Sequence, residues 1–341
     1  MLDYLLKNSL LPKFMYRFGI YLQIKDRLKT EKHLFNKSFG QNKMELINSL
    51  KTSKIALSTE EANTQHYEVP TEFYRYILGP KLKYSCCYYL NAKTLAQAET
   101  EMLDLYCQRA EIKNEQNILD LGCGWGSFTL YAANKFPGSH FTAVSNSSTQ
   151  KKYIDEMVFK YKLRNVTTMT EDINQLKLDQ SYDRIISIEM FEHVRNYQIL
   201  LEKIASWLRS EGKLFIHHFC HQYLTYPFNA EDSWMAKHFF TNGLMPSEDL
   251  LMFFNDRLVI DNRWRVSGRH YTNTCYHWLD NLYQNKKAIL TLFKSHYDDP
   301  SLAYQYWDLF IRACAQLFLF NSGEEWFVTH ILFKKIATQV S

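Results

Sequence analysis

The spacing of apolar residues divides the chain into regions of different character. Between residues 111 and 220, short apolar runs alternate with longer segments in which apolar residues recur at helical spacing. The short runs predict strands and the longer segments predict helices. The predicted strands are "NILDLG", "HFTAVS", "VTTMTE", "YDRIISIE" and "GKLFIHHF", and the helices between them are "FTLYAANKF", "STQKKYIDEMVFKY" and "YQILLEKIASWLRS". Strands that alternate with helices predict a parallel sheet with helices on both faces, an α/β fold.

The flanking regions lack this alternation. Residues 1–60 are typical of polar helices with a loose segment at "FNKSFGQNK", and a further helix is predicted over 94–110. The stretch from residue 221 contains "WMAKHFF", a strand-like "LVIDNRWRVSG", and two long helices around 276–295 and 301–319; the end, "EWFVTHILFKK", predicts a last strand that returns to the sheet.

These regions predict four parts. Residues 1–110 form an N-terminal helical segment with a loop that covers a ligand, and 111–220 form the Rossmann-like core. Residues 221–325 are an insertion that caps the site, and 326–341 are the last strand and a tail.

Composition excludes several classes of protein. The chain has 341 residues, of which 46% are hydrophobic and 22% charged, and its net charge of +4 comes without a basic run, which disfavours nucleic-acid binding. Seven cysteines without a CxxC pair indicate no structural zinc site and no disulfide framework, so we expect a reducing, cytoplasmic environment. No apolar run is long enough to span a bilayer. Residues 10–30 form either a helix that packs on its own domain, which we favour, or one that lies on a membrane.

A glycine-rich turn follows the first predicted strand. In "NILDLGCGWGSF" the acid Asp120 precedes Gly122, Gly124 and Gly126, just before a helix. Glycines allow the backbone to approach a ligand, and the helix start exposes free N–H groups. The spacing differs from the dinucleotide fingerprint, and no P-loop Gly-Lys-Ser/Thr is present. This D-x-G-x-G turn is similar to that of S-adenosylmethionine-dependent methyltransferases.

Polar side chains at the ends of the following strands suit the same cofactor, because open α/β sheets bind ligands at the carboxyl ends of their strands. Asp120 would pair, directly or through water, with the cationic amino-acid end of the cofactor. Asn146 or Gln150 would hold the ribose hydroxyls, although Gln150 could equally be an exposed helix residue. Asp172 is placed to accept from the adenine amino group.

Acidic groups cluster where the fourth predicted strand ends. "SIEMFEHV" brings Glu189, Glu192 and His193 within five residues. In a helical turn the three side chains would share one face, and two close carboxylates would raise the pKa of one of them. Alternatively, Glu192 and His193 only cap the next helix or pair with Arg195.

Three motifs together resemble the cyclopropane-fatty-acyl-phospholipid synthase superfamily, and within it the coclaurine N-methyltransferase branch. They are "QHYEVPTEFYRYILGPKLKYSCCYY" (65–89), "ILDLGCGWGS" (118–127) and "SIEMFEHV" (187–194), supported by "EMLDLYCQRA", "HHFCH", "MPSEDLL" and "NSGEEWFVTHILFKK". The resemblance covers about residues 60–336. It implies a class I methyltransferase sheet, S-adenosylmethionine as cofactor and a small, aromatic or heterocyclic amine as substrate.

The resemblance also implies roles for individual residues. Tyr84 and Ser85 would touch the amino-acid end of the cofactor, and its nucleoside would contact Gly122, Asn146, Gln150, Asp172 and Ile173. Glu189, Glu192 and His193 would face the amine. The substrate pocket would include Tyr67, Glu68, His217, Tyr271 and Trp326, with no metal, although Glu68 could instead hydrogen-bond a loop. A homodimer is possible.

The resemblance leaves a second chemistry open. Cyclopropane synthases act on unsaturated acyl chains and use a bound bicarbonate as base, whose holders would here be Cys86, Glu192, His217 and Tyr271. Synthases usually carry glycine at the position of Glu189, and this additional carboxylate should repel an anion. We therefore favour the amine as substrate.

Overall fold

The centre of the molecule is a seven-stranded mixed sheet. The computed structural model describes residues 12–57, 69–229, 231, 234–254 and 256–336. The strands are β1 (Asn117–Leu121), β2 (His140–Ser145), β3 (Val166–Thr170), β4 (Tyr182–Ile188), β5 (Leu208–His221), β6 (Tyr226–Pro227), β7 (Leu244–Met245), β8 (Leu258–Val266) and β9 (Trp326–Lys335). The order in the main sheet is β3-β2-β1-β4-β5-β9-β8, and β6 pairs with β7 separately.

The helices lie before, between and after these strands. They are α1 (Lys13–Lys37), α2 (Gln41–Thr52), α3 (Thr71–Ile77), α4 (Leu95–Arg109), α5 (Ser127–Lys135), α6 (Ser148–Tyr161), α7 (Tyr197–Trp207), α8 (Trp234–His238), α9 (Gly268–Gln284), α10 (Lys286–Phe293) and α11 (Pro300–Leu319). No helix among the described residues has the length and apolar character needed to cross a membrane. The inner side of α1 is buried on the domain at Ile20 and Leu28.

The predicted alternation of strands and helices is confirmed, and the first five strands are parallel. The returning strand β9 pairs antiparallel with β5, so the sheet is mixed. The strand-like "LVIDNRWRVSG" is β8, which pairs with β9 at the edge of the same sheet. The segment predicted as a cap therefore also supplies a strand to the core.

Two of the predicted helices have different boundaries in the structure. The helix expected over 276–295 begins already at Gly268 and ends at Gln284, and a second helix follows Asn285. The early start escapes prediction because Gly, Thr and Asn have low helix propensity. The break lies at Asn285, whose side-chain amide donates to the Tyr76 carbonyl at 2.9 Å. The helix expected over 197–210 ends at Trp207, because β5 begins at Leu208.

The parallel strands direct their carboxyl ends to one edge of the sheet. Asp120, Ser145, Thr170 and Ile188 lie at or next to these ends. This edge is where an open α/β sheet places its ligands.

Candidate active site

The glycine turn opens a cleft above β1. Gly122, Gly124 and Gly126 have φ values of 78°, 52° and 73°, a left-handed backbone that glycine adopts without strain. A Cβ at Gly126 would lie 2.8 Å from Ile154, so glycine lets α5 approach α6. A Cβ at Gly124 would meet no atom within 4 Å, so the backbone there faces open space.

Two cavities meet in this cleft. The first has a largely apolar wall that includes Leu121, Val144, Ile173, Leu176, Met190 and Val194. The second is more polar and includes Lys83, Ser85, Asp120, Trp125 and Ser127. Both are lined by Gly122, Gly124, Gln150 and Glu189. An apolar slot joined to a polar pocket suits a flat base linked to a charged amino-acid group.

Buried polar groups in the cleft fit such a ligand. Trp125 Nε1, Ser127 Oγ and Gln150 Nε2 have no hydrogen-bond partner within the described part of the chain. Buried donors without partners are uncommon and indicate groups that a ligand can engage. Asp120 lies in the second cavity, where burial raises its pKa to about 7, and its Oδ2 accepts from the Thr129 hydroxyl at 2.6 Å. These residues could hold S-adenosylmethionine.

The structure brings most of the predicted cofactor residues to these cavities. Those that line one or both are Tyr84, Ser85, Asp120, Gly122, Gly124, Asn146, Gln150 and Ile173. Asp172 is not among the lining residues. Its carboxylate accepts from the Asn174 backbone N–H at 2.7 Å, and its neighbour Glu171 lines the first cavity instead. The contact of Asp172 with adenine stays a prediction.

Glu189 lies where the two cavities meet and is held from several sides. Its Oε1 accepts from the Cys86 backbone N–H at 2.9 Å and lies 3.0 Å from His217 Nε2. Its Oε2 accepts from the Tyr271 hydroxyl at 2.6 Å. The side chain is 11% exposed, so water contributes little to its solvation.

The backbone of Glu189 explains this placement. It has a φ of 49°, which is uncommon outside glycine and costs about 1–3 kcal/mol. The predicted helical turn over 189–193 therefore does not form, and only Phe191–His193 make a short 3₁₀ turn. As a result, Glu189 and Glu192 hydrogen-bond to different partners.

The charge of Glu189 reflects opposing influences. Burial raises its pKa above the usual range, and the Lys83 ammonium and the hydrogen bond from Tyr271 offset part of that rise. Burial holds the pKa of His217 well below its usual range, so this imidazole is neutral. Its Nε2 faces a carboxylate oxygen of Glu189, which can only accept, so Nε2 carries the hydrogen and Nδ1 accepts from the Tyr106 hydroxyl at 2.9 Å.

Glu192 has a different environment. It is fully buried, its Oε1 accepts from the Phe219 backbone N–H at 2.7 Å, and its Oε2 has no partner within the described residues. Burial and then the charge of Glu189 raise the pKa of Glu192 well above the usual range. These influences favour the neutral acid form of Glu192.

The capping alternative finds little support. The helix after the cluster is capped by Asn196, whose side chain accepts from the Ile199 N–H. Arg195 donates to the carbonyls of Asn242 and Gly243. His193 lines the first cavity, and its ring packs 4.8 Å from that of Phe240.

The predicted substrate residues fall into three groups. His217 and Tyr271 contact Glu189. Trp326 is buried, donates to the Tyr226 hydroxyl at 3.1 Å, and lies outside both cavities, so its substrate contact stays a prediction. Tyr67 and Glu68 lie outside the described residues.

Sequence reasoning missed several residues of the cleft. Trp125 and Ser127 lie inside or next to the glycine turn, so their position in the sequence could have predicted that they line the cleft. Ala56 and Leu57 line the first cavity from a distant segment that gives no such signal. Lys83 was also missed, because a lysine beside tyrosine and serine is usually exposed.

Comparisons with known proteins identify the family of the chain. The family model "Mycolic acid cyclopropane synthetase" matches residues 56–326. The (S)-coclaurine N-methyltransferase of Thalictrum flavum subsp. glaucum is 40% identical over 85% of this chain and 83% of the relative. The (S)-coclaurine N-methyltransferase of Papaver somniferum is 37% identical over 97% of each chain.

A solved structure from the same branch is also similar to this chain. The crystal structure of a coclaurine N-methyltransferase bound to N-methylheliamine and SAH superposes with a TM-score of 0.93 at 36% identity, and it covers 98% of this chain and 99% of that one. The chain therefore belongs to the mycolic acid cyclopropane synthetase family, on its coclaurine N-methyltransferase branch of S-adenosylmethionine-dependent methyltransferases.

Proposed function

We propose that this protein is an S-adenosylmethionine-dependent N-methyltransferase of a small, aromatic or heterocyclic amine. The observation that carries the proposal is the position of Glu189, a buried carboxylate that lines both cavities and is held by three donors. The names of the relatives support the same class of reaction.

An enzyme that methylates an amine has to bind the protonated substrate and deprotonate it. Near neutral pH most aliphatic amines are ammonium ions and have no free electron pair on nitrogen. The site must therefore attract a cation and remove its proton. S-adenosylmethionine supplies a methyl group already activated by its sulfonium, so the protein need only orient the nitrogen and take the proton.

The residues of the cluster suit different parts of this task. Ionised Glu189 attracts the ammonium and accepts its proton at a carboxylate oxygen, and the pKa raised by burial makes it a better base. His193 lines the same cavity and offers a second position for the proton. Glu192, as a neutral acid behind them, adds no second negative charge.

Bicarbonate-dependent lipid chemistry is the alternative, and the contacts of Glu189 disfavour it. Three of the four residues expected to hold bicarbonate, Cys86, His217 and Tyr271, already bind the Glu189 carboxylate. A second anion about 4 Å away would be repelled by about 4 kcal/mol at an effective dielectric constant near 20. The protein's own carboxylate thus takes the place expected for the free anion.

Two variants test the proposal. Glu189→Gln keeps the shape and removes the negative charge, and His193→Ala removes the imidazole. We expect each to lower kcat/KM for an amine by roughly 10²–10⁴, the usual contribution of a positioned base, while the Kd for S-adenosylhomocysteine changes less than about twofold. Glu202→Gln, at an exposed position on α7, is the matched control. Loss of turnover and cofactor binding together would assign the two residues a structural role.

A further inference from the structure

Lys83 is a buried cation for which the proposed mechanism has no use. It is 2% exposed, and its ammonium donates to Ser85 Oγ at 2.5 Å and to the Cys86 carbonyl at 2.6 Å. The ring of Tyr106 lies 5.1 Å from its Nζ. All three of these partners, a hydroxyl, a backbone carbonyl and a phenol ring, are neutral, so these contacts of the ammonium with the described residues contain no carboxylate.

A buried charge requires compensation, because it has lost its hydration. On one side, the Glu99 carboxylate accepts from the Lys83 backbone N–H at 3.3 Å. On the other side, Cys86 connects Lys83 with Glu189. The Cys86 carbonyl accepts from the ammonium, and the Cys86 N–H donates to Glu189 Oε1 at 2.9 Å.

We infer that Lys83 is a positioning residue, which fixes the Ser85–Cys86 segment so that the Cys86 N–H points at Glu189 and supplies the positive charge that keeps Glu189 ionised. The inference rests on the proposed role of Glu189 as the group that receives the amine. It deepens that role by naming the group that stabilises the negative charge of Glu189 in a site that water barely reaches.

The other groups that face Glu189 do not supply this charge. His217, from β5, is neutral because burial lowers its pKa, and Tyr271, from α9, is neutral because burial raises its pKa. Glu192 is neutral for the same reason as Tyr271. The neighbouring thiols and phenol are also neutral, since burial raises the pKa of each: Cys86, Cys87, Cys275, Cys314 and Tyr106.

Of the remaining groups, His193 favours the ionised form of Glu189 less than Lys83 does. Lys81 provides a matched control. It lies two residues away and carries the same charge, but its ammonium lies over the ring of Tyr131 rather than in the site.

The direct test is the titration of Glu189 by NMR, in protein labelled with ¹³C at the glutamate carboxyl carbon, with Glu189→Gln to assign its signal. We expect Lys83→Met to raise the titration midpoint of Glu189 by about one unit or more, the usual size of the effect of a nearby charge. Lys81→Met should leave the midpoint where it is in the wild type. An unchanged midpoint in Lys83→Met would overturn the inference.

Two further variants separate the effect of the lysine charge from an effect on packing or folding. Lys83→Gln keeps a donor for Ser85 and Cys86 and removes only the charge, so it should raise the midpoint in the same way. Lys83→Arg keeps the charge and should restore a midpoint near that of the wild type. A raised midpoint in Lys83→Arg would show that packing rather than charge controls Glu189, and would overturn the inference.

Kinetics separates this inference from the proposed function. Because Lys83 favours the ionised base, its loss should move the acidic limb of the kcat/KM profile to higher pH, with about a tenfold loss on that limb for a shift of one unit and recovery in alkali. If the wild type methylates no amine, the proposed function fails, while the NMR midpoint still decides the inference. If the Lys83 variants bind S-adenosylhomocysteine more weakly but leave the titration midpoint of Glu189 unchanged, Lys83 acts on the cofactor and the inference is rejected.

Discussion

At the scale of single residues, the site separates two carboxylic acids that are only three positions apart. Glu189 accepts from several donors and the Lys83 ammonium lowers its pKa, whereas Glu192 has one backbone donor and the charge of Glu189 raises its pKa. These surroundings favour the charged form of Glu189 more than that of Glu192. The sequence alone indicates two acids that share one role, whereas their surroundings in the structure favour the charged form to different degrees.

A charge-neutral substitution at position 192 tests this assignment. Glu192→Gln replaces a neutral acid with a neutral amide of the same shape, so we expect kcat/KM at neutral pH within about threefold of the wild type, under 1 kcal/mol. Glu189→Gln serves as the contrasting variant in the same steady-state assay. A loss in Glu192→Gln as large as that in Glu189→Gln would mean that Glu192 acts as an anion.

Asp120 leads to a prediction about pH. Its pKa of about 7 means that it carries a proton below that pH in the free protein. A cationic amino group bound beside it would favour the ionised form, so binding should expel the proton. We expect the affinity for S-adenosylhomocysteine to rise between about pH 5.5 and 7, by up to tenfold per pH unit.

Calorimetry measures this proton directly. Below pH 7 the observed enthalpy of binding should depend on the ionisation enthalpy of the buffer, and in Asp120→Asn that dependence should disappear. An enthalpy that is independent of the buffer in the wild type would place the amino end of the ligand away from Asp120.

At this scale, the sequence predicted residue types better than conformations. The three glycines after Asp120 and the acids of "SIEMFEHV" stand out because their chemistry is unusual at the end of a buried strand. The left-handed backbone of Glu189 could not be predicted, because it depends on donors that come from residues 86, 217 and 271. Without that conformation, a helical turn was the natural expectation.

At the scale of elements, the position of α9 depends on its first residue. A Cβ at Gly268 would lie 2.3 Å from the carbonyl oxygens of both Phe318 and Trp326, and backbone atoms cannot move aside cheaply. Three residues later the same helix presents the Tyr271 hydroxyl to Glu189. Packing at the start of α9 is thus coupled to the hydrogen bonds of the site.

Substitution of this glycine should affect both properties. We expect Gly268→Ala to lower the free energy of unfolding in urea by about 1–3 kcal/mol, the usual cost of overpacking, and to reduce turnover as well. Gly19→Ala is the control, because a Cβ in the middle of α1 would meet no atom within 4 Å and should stabilise the protein by about 0.5–1 kcal/mol. Equal free energies of unfolding for the two variants would mean that α9 can move to accommodate the new Cβ without a loss of stability.

Elements with strong local patterns were predictable, and those defined by distant pairing were not. The parallel strands β1–β5 were found because their apolar runs are short and alternate with amphipathic helices. The edge strand β8 was recognised as a strand but not as part of the main sheet, because its partner β9 lies about 60 residues further along the chain. Local sequence carries no information about that pairing.

At the scale of the whole molecule, the fold gathers the site from segments that are far apart in sequence. Glu189 from the end of β4 meets Cys86 from an N-terminal loop, His217 from β5 and Tyr271 from α9. The N-terminal helix is also tied to the core, since Lys32 pairs with Glu325 at 2.7 Å. The carboxylate thus depends on the assembly of three distant segments of the chain around the end of β4.

The most direct test of that role is transfer of a labelled methyl group from S-adenosylmethionine to a panel of primary, secondary and tertiary amines, beside vesicles of unsaturated phospholipid, with and without added bicarbonate. We predict that aromatic or heterocyclic amines are methylated at a rate that bicarbonate does not change, and that the vesicles remain unlabelled. Label in the phospholipid that requires bicarbonate, with no turnover of any amine, would contradict the account.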